Sequence, residues 1–74
     1  MTDGYYIAKW EGVSTWLLLK SGDEYTHVAK LYPHFKYPYA SFKANYRWSK
    51  IHPSFTKRAA TLSEVIEEHF EEFI

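Results

Sequence analysis

The sequence predicts an α+β domain in which a small, mostly antiparallel sheet packs against one C-terminal amphipathic helix. Short runs of strand-favouring residues end at glycine-containing turns, a run with period two follows, and residues 61–74 carry apolar residues at helical spacing. We expect four or five strands within residues 4–59, and we leave open whether the sheet curls like an SH3 barrel. A chain of 74 residues indicates a single domain, residues 1–74, close to the lower size limit for an independent core.

The first three strands are predicted to form a meander. Residues 5–10, 14–20 and 24–32 are rich in aromatic, β-branched and aliphatic side chains. The first run stops at Glu11 and Gly12, and the second stops at Gly22 and Asp23. Short strands joined by such turns are typical of antiparallel hairpins.

An irregular loop and two further strands are predicted next. Pro33 and Pro38 each remove a backbone donor and restrict the preceding residue, so residues 32–40 are expected to form a surface loop. Pro53 interrupts the chain again, and residues 55–59 are predicted as a short last strand. Between these breaks a half-buried strand is expected, with Phe42, Ala44, Tyr46 and Trp48 on one face and Lys43, Asn45, Arg47 and Ser49 on the other.

The C-terminal helix is predicted over residues 61–74. Thr61 and Glu64 match a capping box, in which each side chain accepts a hydrogen bond from the other residue's backbone. An apolar stripe is expected to face the sheet, and glutamates take the opposite side. The stripe comprises Leu62, Val65, Ile66, Phe70, Phe73 and Ile74, and the glutamates are Glu64, Glu67, Glu68, Glu71 and Glu72.

The net charge of zero conceals two oppositely charged regions. Between Tyr25 and Ser63 the chain has no Asp or Glu, yet this stretch holds seven of the nine Lys and Arg residues. The acidic helix follows directly. Because a polyanion responds to the local field and not to the net charge, the basic stretch is a candidate binding surface.

Basic and aromatic side chains in the same stretch favour a nucleic-acid-binding role without catalysis. Cations neutralise phosphates and release counterions, and exposed rings stack on unpaired bases. We expect Phe35, Tyr37 and Tyr39 to stack on bases. Their loop is not expected to pair with a strand, so no sheet would direct their side chains towards the core. The same cations would also serve simply to solvate the outer face of a sheet. The expected phosphate-binding residues are Lys30, Lys36, Lys43, Arg47, Lys50, Lys57 and Arg58.

The alternative is a small protein-binding regulator or inhibitor, of the kind that phages and mobile elements direct against larger host proteins. Residues 32–39 would supply aromatic anchors, a residue type enriched in interface hot spots. The acidic helix would dock on a basic partner, although its glutamates are better explained as the solvated face of an amphipathic helix. Self-association is a third alternative, since a small core gains stability from a partner.

Enzymatic, metal-binding and membrane-spanning roles are not expected. The hydroxyl residues have no base at motif spacing, and the three isolated glycines form no phosphate-binding loop. The four histidines match no ligand pattern and there is no Cys, so we expect neither a metal nor a cofactor. No apolar run is long enough to cross a bilayer. The lack of Cys fits a reducing compartment, and we expect a cytoplasmic protein.

Two resemblances concern the order of elements. The run Tyr6-Ile7-Ala8-Lys9-Trp10-Glu11-Gly12 with Thr15-Trp16 resembles the strand-turn-strand core of chromodomains, which also end in an acidic helix. The tryptophan spacing is shorter here and the helix comes later, so a methyl-lysine cage is not transferred. A small sheet followed by a helix is also similar to small archaeal chromatin proteins and to arm-binding domains of some integrases. Those families bind duplex DNA with the sheet, an implication that rests on architecture alone.

Overall fold

Strand-forming runs separated by turns build one antiparallel sheet in the computed structural model, which describes residues 2–74. A short helix follows near the C-terminus, so the predicted α+β class is confirmed. The strands are β1 (Gly4–Trp10), β2 (Ser14–Ser21), β3 (Glu24–Leu31), β4 (Tyr39–Ser41), β5 (Asn45–Arg47) and β6 (Thr56–Ala59). The helix α1 spans Leu62–Glu67, and 3₁₀ turns span Trp48–Lys50 and Glu71–Phe73.

The sheet is open and has the order β4-β3-β2-β1-β6, with β5 also paired to β3. β4 and β5 lie along successive parts of β3, with Tyr39 opposite Leu31 and Tyr46 opposite Tyr25. The strand predicted over residues 42–48 is therefore wrong in extent, because pairing begins earlier and is interrupted at residues 42–44. β6 forms the other edge, so the sheet does not close as an SH3 barrel would.

A tight turn joins β1 to β2. The backbone N–H of Val13 donates to the carbonyl of Trp10 at 2.8 Å. Glu11 and Gly12 have φ angles of 40° and 72°, in the left-handed region. Gly12 adopts this conformation without a side-chain clash, which explains why the first run stops where the sequence predicts.

One face of the sheet packs against the C-terminal segment, and we call it the helix side. Ile7, Leu17 and Ala29 form its buried centre, in contact with Val65 and Phe70. The strand register places the three sheet residues side by side, because Ile7 lies opposite Leu17 and Leu17 lies opposite Ala29. Burial of these apolar side chains holds the helix on the sheet.

The opposite face, which we call the aromatic side, is also covered. Ala8, Leu18 and Tyr25 form a second buried cluster. A covering segment, residues 48–55, lies over this cluster, and its side chains Trp48, Ile51 and Phe55 pack there. The sheet is thus enclosed between the helix and the covering segment, with the larger rings on the side away from the helix.

The helix is shorter than the predicted span of residues 61–74. Its start is as predicted, since the Thr61 hydroxyl accepts a hydrogen bond from the N–H of Glu64 at 3.1 Å. Its end is a Schellman motif. His69 has a φ of 62°, its N–H donates to Ile66, and the N–H of Phe70 donates to Val65. This turn redirects the chain and brings Phe70 into the core.

The early end of the helix changes the predicted apolar stripe. Val65 and Phe70 are buried and Phe73 is half-buried, as expected for residues that face the sheet. Leu62, Ile66 and Ile74 are exposed, so their predicted burial is wrong. Within residues 2–74, no helix has the length and hydrophobicity needed to cross a bilayer.

The packing predicts that stability depends on Phe70 and not on Leu62. Phe70 is fully buried, and Phe70→Ala is expected to lower the free energy of unfolding by about 3–5 kcal/mol. Leu62 is 72% exposed, and Leu62→Ala is expected to stay within about 0.5 kcal/mol of the unchanged protein. Urea denaturation followed by circular dichroism measures both, and equal losses of stability would contradict this packing.

Candidate nucleic-acid interface

A β-bulge in β3 determines which face carries Lys30. Leu17 lies opposite Ala29, whereas the next residue, Leu18, lies opposite His27, so β3 contains one extra residue. Strict alternation from His27 would place Lys30 on the helix side. The extra residue moves Lys30 to the aromatic side, opposite Trp16.

Lys30 lies within a continuous row of rings, which we call the aromatic row. Its Nζ atom is 4.6 Å from the ring centre of Trp16 and 4.5 Å from that of Tyr32. Both distances are within the range of cation–π attraction. The Tyr32 ring continues the row by stacking on Phe35, with 5.1 Å between ring centres.

The row extends in the other direction to the first hairpin. The Phe55 ring lies 5.0 Å from Trp16 and stacks on Trp10, with 5.8 Å between ring centres. The two ends are the exposed parts, since Trp10 is 40% and Phe35 is 64% accessible. In spatial order the row is Trp10, Phe55, Trp16, Lys30, Tyr32 and Phe35.

An apolar groove of about 230 Å³ lies at the Phe35 end of the row. The loop that forms it is closed by a hydrogen bond from the N–H of Tyr32 to the carbonyl of Pro38, at 2.5 Å. Val13 reaches the groove from the β1–β2 turn. We call this the loop-end groove, and its lining residues are Val13, Tyr32, Pro33, His34 and Phe35.

Two of the three rings predicted to stack are accessible. Phe35 is 64% exposed, and Tyr37 is 78% exposed with the Lys36 ammonium 5.7 Å from its ring centre. The placement of Tyr39 in an irregular loop is wrong, because it belongs to β4. Its ring lies 5.9 Å from Phe70 and its hydroxyl donates to the carbonyl of Glu68. Tyr39 therefore fastens β4 to the C-terminal segment, and the irregular loop ends at Pro38.

The predicted phosphate-binding cations do not form one patch. Lys30 and Lys57 lie on the aromatic side, where Lys57 is opposite Ala8. Lys36 is in the exposed loop, and Lys43 and Arg47 lie on the β4–β5 edge. Arg47 is paired in register with Glu24. Lys50 lines a cavity of about 100 Å³ between the covering segment and the sheet, together with Trp16, Tyr25 and His52 among others.

Arg58 lies apart from the other predicted cations. It is on the helix side of β6, where its Nε atom is 3.8 Å from a carboxylate oxygen of Glu64. Lys9 is on the same side and contacts the carboxylate of Glu68. The carboxylates of the C-terminal segment thus offset the positive charge of Lys9 and Arg58. Lys30 on the aromatic side and Lys36 in the loop have no such carboxylate beside them in the described ion pairs.

His27 lies next to the row in a cage of four rings. The rings of Trp16 and Tyr46 are 4.5 and 4.7 Å from it, and those of Tyr25 and Phe42 are 5.3 and 5.5 Å away. Its Nε2 atom is buried without a hydrogen-bond partner. Burial, and then the charge of Lys30, lowers the pKa of His27 below its usual 6.5.

Sequence reasoning missed three members of the row, Trp10, Trp16 and Phe55, and assigned Tyr32 only to the protein-binding alternative. Their rings meet through the strand register, which no local pattern in the sequence specifies. Trp16 and Lys30 are brought together by the bulge, and Trp10 and Phe55 by the path of the covering segment. Composition alone indicated that some rings would be exposed. Fifteen Phe, Tyr and Trp in 74 residues are more than a core of this size can bury.

Comparison with known proteins adds no functional assignment. No protein-family model, curated protein or solved structure matches this chain. Among residues 2–74, no group of three or more His, Cys, Asp or Glu side chains is arranged to hold a metal ion.

The half-buried His27, with its Nε2 atom buried, predicts that the free energy of unfolding falls as the solution is acidified. The unfolded chain takes up a proton near pH 6.5, whereas the folded state keeps His27 neutral to lower pH. The contribution of neutral His27 to the free energy of unfolding is complete above pH 6.5. It declines as the pH falls from 6.5 towards the pKa of His27 in the folded state. Urea denaturation midpoints between pH 7.5 and about 5 measure this decline.

Variants of two histidines isolate the source of the pH dependence. His27→Phe keeps a ring in the cage and removes the titrating group, so the midpoint is expected to change less with pH. His34→Gln removes an exposed histidine and is expected to leave the pH dependence unchanged. If the urea midpoint changed equally with pH in His27→Phe and in the original protein, His27 would not be the source of the pH dependence.

Proposed function

We propose that this protein is a non-enzymatic nucleic-acid-binding domain that acts without a cofactor in the cytoplasm. The observation that supports it best is the alternation of accessible rings and cations at the loop end of the aromatic side. Phe35 and Tyr37 offer ring faces to solvent, and Lys36 lies between them in the chain. Rings for stacking and cations for phosphates are the two components of sequence-tolerant nucleic-acid binding.

The charge distribution also supports the proposal. The carboxylates of the helix lie across the sheet from the aromatic row, and two of them contact Lys9 and Arg58 on their own side. The cations beside the rings of the loop end are Lys30, next to Tyr32, and Lys36, next to Tyr37. A polyanion would be attracted to this end although the whole chain is neutral.

A protein-binding regulator is the second candidate, and a different surface favours it. Leu62 and Ile66 are one helical turn apart and are both exposed, and exposed Ile74 follows nearby in the chain. Glu67 and Glu71 in the same segment would suit a basic partner. This candidate would be preferred if the folded protein bound no nucleic acid at low salt.

The proposed function predicts binding that weakens steeply with salt. Fluorescence anisotropy of labelled oligonucleotides, titrated at several salt concentrations, gives the slope of log K against log salt. The double variant Lys36→Gln, Lys43→Gln removes two exposed cations, one in the loop and one on the β4–β5 edge. It is expected to weaken binding and to reduce the slope by about one for each phosphate that is no longer neutralised.

Arg58→Gln is the matched control. It also removes an exposed cation, but one on the helix side beside Glu64. We expect an affinity within about twofold of the original protein, since Arg58 would not touch a phosphate. If Arg58→Gln lowered the affinity more than the double variant does, the binding surface would lie on the helix side, and the proposal would be wrong.

A further inference from the structure

We infer that the ligand is single-stranded and that the aromatic row, with its loop-end groove, binds it. This inference rests on the proposed function and specifies its ligand. The first reason is steric. A sheet that reads duplex DNA inserts an open face or ribbon into a groove. Here Val65 and Phe70 cover one face, and Trp48 and Phe55 cover the other, so neither central face is accessible to a duplex.

The second reason is the order of chemical groups along the row. Accessible rings lie at both ends, Trp10 and Phe35, and the ammonium of Lys30 lies between the two stacked pairs. A single strand offers unpaired base faces separated by phosphates, which matches the sequence ring, cation, ring. In a duplex the base faces are stacked on one another and cannot reach these rings.

The position of charge along the row indicates where the phosphate would lie. Glu11 is exposed in the turn next to Trp10 and adds negative charge at that end. Lys57, opposite Ala8, and Lys50, beside Phe55, place positive charge near that end as well. Lys30 differs from them because its ammonium lies among the rings of the row. A phosphate is therefore expected beside Lys30, with a base on Phe35 in the loop-end groove and a base of another nucleotide of the same strand on Trp10.

The lining of the groove specifies how selective the site would be. Val13, Pro33 and Phe35 are apolar, and the polar side-chain groups of the lining residues are the His34 ring and the Tyr32 hydroxyl. Selection of a particular base or of a 2′-hydroxyl needs several fixed donors and acceptors. We therefore expect DNA and RNA single strands to bind within about threefold of each other, with little dependence on base sequence.

The test compares four labelled ligands by fluorescence anisotropy in low salt. They are a mixed-sequence single-stranded DNA, its RNA equivalent and the DNA and RNA duplexes of the same length. The single strands are expected to bind at least about tenfold more tightly than the duplexes. Phe35→Ala and Trp10→Ala are each expected to weaken single-strand binding by about tenfold, since each removes one stacking ring.

Ile66→Ala is the matched control, because it truncates an exposed apolar side chain on the opposite side of the sheet. It is expected to leave affinity unchanged, and circular dichroism checks that each variant is folded. Duplex binding as tight as single-strand binding would overturn this inference and leave the proposed function standing. Single-strand binding that survives both Phe35→Ala and Trp10→Ala would overturn the role of the row. A folded protein that binds none of the four ligands would overturn the inference and the proposed function together.

Discussion

Both faces of the sheet carry large apolar side chains, so a short chain must cover each of them with its own segments. The C-terminal segment covers Ile7 and Leu17, and residues 48–55 cover Leu18 and Tyr25. With no disulfide to stabilise so small a domain, this double burial is the main source of its stability. Tyr6, Tyr25 and Phe70 are the aromatic members of the buried core.

The same constraint determines which surfaces remain for a ligand. The covering segment closes the centre of the aromatic side. The aromatic row lies along the border of this covered area and runs from Trp10 to Phe35. The bulge opposite Leu17 and Leu18 then sets Lys30 among these rings. The aromatic side therefore contains both a part of the buried core and the proposed binding surface. His27 contacts both, since its ring lies against Tyr25 of the core and Trp16 of the row.

Local patterns were sufficient to predict most of the elements. Gly12 and Gly22 mark the two turns of the meander, and Thr61 marks the start of the helix. The end of the helix was not predictable, because His69 adopts a left-handed conformation that is more typical of glycine or asparagine. The exposed rings of the loop were predicted, but Tyr39 was misplaced since its pairing with Leu31 is non-local. The row itself depends on the bulge in β3 and on the path of residues 48–55, which no local pattern in this sequence indicates.

Amide chemical-shift mapping tests the central claim most directly, because it locates the ligand on the folded chain without any substitution. A ¹⁵N-labelled sample would be titrated with a short single-stranded DNA, and backbone and indole N–H signals followed. The account predicts shifts concentrated at residues 10–16 and 30–37 and at the indole of Trp10, with little change over residues 61–74. Shifts concentrated on the C-terminal segment, or no shifts at all, would contradict it.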